Sequence, residues 1–125
     1  RTFDVDGSRS FPSPVRGVWA VGQKLFVWSG DDKLHAVEPG KQLPDQWVLD
    51  LKGHQPAGGP VEWNGSIWLA CRDGLVIAIN STTGKESHRE QLPQYLSLGL
   101  RMVAADLMAV ACDGTVYRIG PGGKP

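Results

Sequence analysis

The stretch IWLACRDGLVIAI, residues 67–79, decides the fold, because the chain repeats its pattern twice more. Residues 25–37 read LFVWSGDDKLHAV, and residues 107–119 read LMAVACDGTVYRI. Each copy has an apolar run, a polar turn with aspartate at the seventh position, and a second apolar or alternating run. This pattern is typical of a β-hairpin, and Asp-Gly is a pair that tolerates positive φ in a turn. The sequence therefore predicts three hairpins of one type.

The spacing of the hairpins indicates the architecture. Their turn aspartates, Asp31, Asp73 and Asp113, are 42 and 40 residues apart, which matches the period of four-stranded β-propeller blades. Further apolar stretches, predicted as innermost strands, precede the hairpins at residues 17–21, 59–63 and 99–104. More polar stretches, predicted as outer strands, follow the first two at residues 46–51 and 86–92. The predicted fold is all-β, with about three four-stranded antiparallel blades and essentially no helix.

We interpret residues 1–125 as one propeller segment. Its predicted parts are a partial blade at 1–15, blades at 16–51, 58–92 and 98–120, and a tail at 121–125. Three blades do not usually close a ring, since propellers typically have about four to eight. An uncovered edge strand also invites aggregation. We therefore expect the open ends to be covered by other blades of a longer chain or by a second copy.

Charge and composition exclude several kinds of partner. Thirteen Lys and Arg balance thirteen Asp and Glu, with no run of like charges, so nothing favours nucleic acid or an anionic membrane surface. No apolar stretch approaches the roughly 20 residues of a spanning helix, so membrane insertion is not expected. The sixteen Gly and nine Pro lie between apolar runs and indicate turns. A protein partner is the expectation that remains.

No residue is predicted to be catalytic or to bind a cofactor or metal. His35, His54 and His88 have no Ser or Cys at a spacing typical of a nucleophile, and we interpret them as structural or surface residues. The aspartates of the turns, Asp32 included, are explained by hydrogen bonds to their own backbone. Residues 4–7 read DVDG, which hints at a calcium loop but lacks the later oxygen ligands.

The cysteines and tryptophans are interpreted first as packing residues. Cys71 and Cys112 each end an apolar run and are expected to be buried free thiols, with a mutual disulfide left open. The five tryptophans are expected to pack within and between blades. Tryptophan is also enriched in binding hot spots, and Trp28 and Trp68 lie on neighbouring hairpins. These two are the candidate partner contacts.

Residues 67–88, IWLACRDGLVIAINSTTGKESH, resemble the PQQ-like, or quinoprotein-type, β-propeller repeat. The family pattern has an Asp-Gly turn, a strand ending Ala-Leu-Asp, a Thr-Gly-Lys turn and a docking Trp. The chain matches it through Asp73-Gly74, residues 78–80 and residues 83–85, but His88 stands in place of the Trp. The first repeat matches more loosely and supplies Trp47 as its docking residue.

The resemblance implies a fold, and it suggests roles without choosing among them. Family members include extracytoplasmic sensor portions of bacterial receptor kinases and an outer-membrane assembly lipoprotein, so the family favours an extracytoplasmic location. We expect a non-catalytic module for protein binding, sensing or scaffolding. Two alternatives stay open: a fragment of a PQQ-dependent dehydrogenase, and a self-assembling dimer that forms a six-bladed propeller and binds a small ligand.

Overall fold

The computed structural model describes residues 7–40 and 42–119. Within them the chain forms three antiparallel β-sheets and no helix, which confirms the predicted fold class. The segment 2–6, with most of the calcium-loop motif, and the tail at 121–125 lie outside the described residues. No helix in the described part is long and apolar enough to cross a membrane.

The sheets follow one another along the chain. The first contains β1 (Val15–Val21), β2 (Lys24–Ser29), β3 (Lys33–Val37) and β4 (Asp45–Asp50) in that order. The second contains, also in order, β5 (Val61–Trp63), β6 (Ser66–Ala70), β7 (Leu75–Asn80) and β8 (Glu86–Gln91). The third contains β9 (Arg101–Val103), β10 (Asp106–Val110) and β11 (Val116–Ile119), with β10 at its centre. The described residues supply three strands to this sheet.

The three thirteen-residue repeats are the central hairpins, in matching register. The first and last residues of each repeat pair across the hairpin: Leu25 with Val37, Ile67 with Ile79, and Leu107 with Ile119. The eighth position of each repeat has positive φ, 63° at Asp32, 93° at Gly74 and 92° at Gly114. Aspartate tolerates this conformation better than most residues, which explains why the first turn does without glycine at this position.

The sheets pack face to face, and the second sheet lies between the other two. One of its faces joins a core cluster with the first sheet, which includes Phe26, Leu34, Leu69 and Ile77. Its other face joins a cluster with the third sheet, which includes Val76, Leu107 and Ile119. Burying an aliphatic side chain of this size contributes about 1.5–3 kcal/mol, so these two interfaces supply most of the driving force. The first and third sheets each keep one face that no other sheet of the described part covers.

Candidate functional site

The tryptophans predicted as partner contacts lie inside the structure. Trp28 is buried at the interface of the first and second sheets, with the guanidinium of Arg16 5.6 Å from its ring centroid. Trp68 is buried on the other side of the second sheet, where its indole N–H donates to the Trp63 carbonyl and its ring packs edge-on against Trp63. Their role as partner contacts stays a prediction, and it requires a partner that reaches the margins of these interfaces.

Trp47, the docking residue of the first repeat, joins two neighbouring sheets. Its indole N–H donates to the Ser81 carbonyl at 3.0 Å, in the turn that precedes β8. Its ring lies so close to Gly84 that a Cβ there would stand 2.6 Å from it. His88 occupies the same register position in the second sheet, since Ala36 pairs with Trp47 and Ala78 with His88. It packs against Trp68, with ring centroids 5.9 Å apart.

Two of the turn aspartates, Asp73 and Asp113, make the same pair of contacts in the second and the third sheet. Asp73 accepts a hydrogen bond from the Leu75 N–H, and Asp113 accepts one from the Thr115 N–H, so each shapes its own turn. The other carboxylate oxygen reaches the linker that enters the same sheet. His54 Nδ1 lies 2.5 Å from Asp73 Oδ2, and the Gln94 amide donates to Asp113 in the same way. This linker–turn clamp, His54–Asp73 and Gln94–Asp113, fastens successive blades.

A polar cluster lies on the outer face of the first sheet, and the spacing of its residues in the sequence gave no sign of it. His35 Nδ1 is 3.1 Å from Asp45 Oδ2, and His35 Nε2 is 3.2 Å from Ser29 Oγ. Arg9 contacts both carboxylate oxygens of Asp45, at 2.7 and 2.9 Å, and the ring of Phe11 meets that of His35 edge-on. The segment before β1 is thereby held against the sheet.

The electrostatics of this cluster follow from its hydrogen bonds. Burial alone would raise the pKa of Asp45, but the hydrogen bonds from Arg9 and His35 outweigh it, and the pKa lies below its ordinary value. The Ser29 hydroxyl, which donates to Asp31, is the main cause of the lowered pKa of that carboxyl. Both aspartates are therefore ionised at neutral pH and act as hydrogen-bond acceptors.

Ser29, His35 and Asp45 are separated by distances that resemble those of a serine-hydrolase triad, but their hydrogen-bonding pattern is different. A nucleophilic serine donates its proton to histidine and meets a substrate carbonyl next to oxyanion donors. The single hydroxyl proton of Ser29 goes to the Asp31 carboxylate, a stronger acceptor than an imidazole nitrogen. Ser29 is also buried, and Phe11 packs on the ring of His35. The geometry serves to hold the segment, and nothing in it presents a nucleophile.

The repeat alignment carried a signal that could have revealed this cluster. At the positions of Ser29 and His35 the second repeat has Cys71 and Ile77, and the third has Ala111 and Tyr117. Polar residues at positions that are apolar in the sister repeats indicate a special environment, and here they mark the sheet face covered by the N-terminal segment.

The two cysteines are free thiols in different surroundings. Cys71 is buried, and desolvation raises its pKa to about 12, so it is inert as a nucleophile. Cys112 is exposed in the turn of the third hairpin, so its predicted burial is wrong. Cys112 occupies the sixth position of its repeat, where the second repeat has the exposed Arg72, whereas Cys71 occupies the fifth position, where the third repeat has the buried Ala111. In the described part, no group of three or more His, Cys, Asp and Glu side chains is arranged to hold a metal ion.

The outer face of the third sheet is open, because no other sheet of the described part packs on it. Residues that point outward from it are Met108, Val110, Val116 and Arg118, which pair across β10 and β11. Val116 is 55% exposed, and the neighbouring Val103 of β9 is 58% exposed. Arg118 forms an ion pair with Asp106 at 3.0 Å, on the same face. The centre of this face is thus apolar and its margin charged.

Comparison with known proteins identifies the fold. No protein-family model matches the chain, and no curated protein is a significant match. BamB from Moraxella catarrhalis is similar in structure, with 22% identity over 81% of this chain and a TM-score of 0.67. BBS1N, solved in complex with ARL6DN, has 22% identity over 76% and a TM-score of 0.59. A quinohemoprotein alcohol dehydrogenase from Comamonas testosteroni has 18% identity over 97% and a TM-score of 0.52.

The chain spans only 30%, 31% and 23% of the length of these three proteins, respectively. BamB and the dehydrogenase have PQQ-like propeller folds, in agreement with the resemblance of residues 67–88. At such low identity the similarity shows the fold alone. The three sheets are blades of a β-propeller.

Proposed function

We propose that this chain is a non-catalytic segment of a β-propeller that acts as a protein-binding or scaffolding module. The observation that carries the proposal is that the third sheet leaves one β-face without a neighbouring sheet in the described part, with Val116 and Val103 55% and 58% exposed on it. Blades stack by such faces, so an unpaired apolar face is a surface for another polypeptide. A similar propeller supports this role, since BBS1N was solved in complex with ARL6DN.

The polar groups support the non-catalytic part of the proposal. Those that resemble an active site, Ser29, His35 and Asp45, are bonded to each other and to the segment they fasten. Asp73 and Asp113 are engaged in the linker–turn clamp, and Asp31 accepts the hydrogen bond of the Ser29 hydroxyl. The alternative role, a fragment of a PQQ-dependent dehydrogenase, has the fold similarity in its favour, but the candidate cluster supplies no free reactive group. An extracytoplasmic location is proposed on the family resemblance alone.

The first experiment is light scattering of the full chain over a wide range of concentrations, together with binding of the apolar dye ANS. We expect the dye to bind and the mass to rise with concentration without reaching a plateau, because the open faces lack their partner. A discrete, folded dimer would instead support the self-completing six-bladed propeller. A monomer at every concentration with no dye binding contradicts the proposal.

A second experiment tests the absence of catalysis at the triad-like cluster. A fluorophosphonate probe labels activated serines, and we expect none on the folded chain. Labelling that disappears in the Ser29→Ala variant would show a nucleophile and overturn this part of the proposal. A protein known to react with the probe serves as the positive control.

A further inference from the structure

We infer that the cleft between the outer strands of the first and second sheets binds a tyrosine side chain from an extended segment of a partner protein. This interblade cleft has a volume of about 260 Å³. Its apolar floor consists of buried side chains from both sheets and the linker, namely Leu51, Cys71, Leu75 and Ile77. Its rim includes the more exposed side chains of Leu49, His54, Glu86 and Arg89. The inference rests on the proposed function and specifies the chemistry by which a partner is recognised.

The internal repeat shows which side chain fills the equivalent space in the next interface. Ile77 and Tyr117 occupy the same register position, since Ile77 pairs with Leu69 and Tyr117 pairs with Ala109. Each faces the preceding sheet: Ile77 belongs to the core cluster of the first and second sheets, and Tyr117 packs against the cluster of the second and third. The second interface thus holds a tyrosine where the first has an isoleucine and a cleft. A tyrosine from outside would restore the missing ring.

The first interface also has a hydrogen-bond acceptor for the hydroxyl group of such a ring. Tyr117 donates its hydroxyl proton to the side-chain carbonyl of Gln94, the linker residue of the clamp. In the first interface the linker residue of the clamp is His54, which lines the interblade cleft. Its Nδ1 lies 2.5 Å from the Asp73 carboxylate, an acceptor, so Nδ1 carries the proton of the neutral ring and Nε2 is an acceptor. A phenol in the cleft has this nitrogen as its partner.

The charged groups at the rim are bonded within the chain. Arg89 donates to both carboxylate oxygens of Glu86, at 3.0 and 2.8 Å. The Asp50 carboxylate accepts a hydrogen bond from the backbone N–H of Lys52 at 2.9 Å. A charged ligand would have to compete with these contacts, whereas a neutral ring gains free energy by covering the apolar floor. The cleft therefore favours a neutral ligand that donates one hydrogen bond.

The size of the cleft limits the ligand further. Pockets that take drug-sized molecules or cofactors measure about 300–1,000 Å³, and the interblade cleft, at about 260 Å³, lies below that range. It has room for one aromatic ring with its hydroxyl group. Aromatic side chains seated in pockets frequently anchor protein–protein interfaces, which agrees with a ligand that is part of a protein.

The strands that border the cleft favour an extended peptide as the source of the ring. Asp50 belongs to β4 and Arg89 to β8, and both strands are the outermost of their sheets in the described part. The outer edge of such a strand presents backbone N–H and C=O groups that an extended segment can bind. A partner segment therefore gains main-chain hydrogen bonds that a free phenol lacks.

The first test is an NMR titration of the full chain, labelled at its isoleucine and leucine methyl groups, with a peptide that has blocked ends. The peptide has the sequence of residues 115–119, TVYRI, which contains the tyrosine that fills the equivalent space. We expect it to shift the methyl signals of Ile77, Leu49 and Leu75, and to bind roughly 2- to 10-fold more tightly than the same peptide with phenylalanine, because one hydrogen bond contributes about that factor. 4-Methylphenol, titrated separately, represents the free ring and should bind more weakly than the peptide.

The second test fills the cleft from within. Ile77→Tyr introduces the side chain that the third sheet carries at this position, and we expect it to abolish peptide binding. Val48→Tyr is the matched control, because Val48 is 43% exposed and pairs with His35 on the opposite face of β4. It should leave the affinity unchanged. Leu49→Trp, at the partly buried rim, blocks the cleft without altering the floor and replaces Ile77→Tyr if circular dichroism shows that variant to be unfolded.

The outcomes separate this inference from the proposed function. The inference is overturned if the wild type binds neither peptide, if the two peptides bind equally well, or if the folded filled variants bind like the wild type. It is also overturned if 4-methylphenol binds and the peptide does not, since the cleft would then take a free phenol. The proposed function stands in each of these cases, because it fails only if the chain neither associates nor binds ANS.

Discussion

The second and third sheets are copies of one repeat, yet they differ in burial even where they carry the same residue. Val76 and Val116 occupy equivalent positions, and the former is fully buried while the latter is 55% exposed. Gly74 and Gly114 have φ of 93° and 92°, so the two hairpins share their turn conformation. The local structure of a blade is therefore set by its own sequence, whereas the burial of its side chains depends on whether another sheet packs against it. Three experiments test how the two sheets and their turns differ.

The largest difference is expected in thiol reactivity. Burial raises the pKa of Cys71 to about 12 from an ordinary value of 9.0, so its thiolate is about 1000-fold rarer at a given pH. Cys112 is exposed in the turn of the third hairpin. We expect a thiol reagent at mildly alkaline pH to modify one cysteine per folded chain, at Cys112, by mass spectrometry. Cys112→Ser should leave the folded chain unlabelled, and rapid modification of Cys71 would contradict the packing of the second sheet.

A smaller difference is expected in the free energy of unfolding when two turn glycines are replaced by alanine. Gly84, next to the second sheet, has φ of 76° and lies against the Trp47 ring, whereas a Cβ at Gly114 would meet nothing within 4 Å. Both alanine variants incur about 1–2 kcal/mol from the left-handed backbone. Gly84→Ala adds an overpacking cost of about 1–3 kcal/mol, because a Cβ must displace the ring. Urea denaturation measures both, and equal losses would show that Trp47 does not dock on this turn.

The smallest effect is expected in the pH dependence of the free energy of unfolding, through Asp113 in the third hairpin turn. The hydrogen bond from the Thr115 N–H is the main cause of the lowered pKa of Asp113. A carboxyl whose pKa is lowered by folding stabilises the folded state above its ordinary pKa of 3.8, and this contribution is lost as the pH falls through the folded value. We expect the Asp113→Asn variant to lose stability less steeply than the wild type in acid. Identical slopes would show that the turn is not held by this carboxylate.

The repeat made the fold predictable, because apolar runs and turn residues recur at one period. The hairpins and their register follow from that pattern, whereas the docking role of Trp47 was implied by the resemblance to the PQQ-like repeat. The polar cluster around His35 did not, since Asp45 and Arg9 approach it from separate segments and only the fold brings them together. The exposure of Cys112 could have been predicted from the repeat, because Cys112 aligns with the charged Arg72 and not with Cys71.

The linker–turn clamp also bears on how far such proteins can diverge. The clamp needs an aspartate in the turn and any N–H donor in the linker, and this one chain already uses a histidine in one place and a glutamine in another. The docking position accepts a tryptophan in one blade and a histidine in the next. Each of these substitutions changes a residue by which a sequence comparison would recognise relatives, but it preserves the contact between the two elements. Such loose requirements are consistent with a chain that matches no family model but shares its fold with proteins about 20% identical to it.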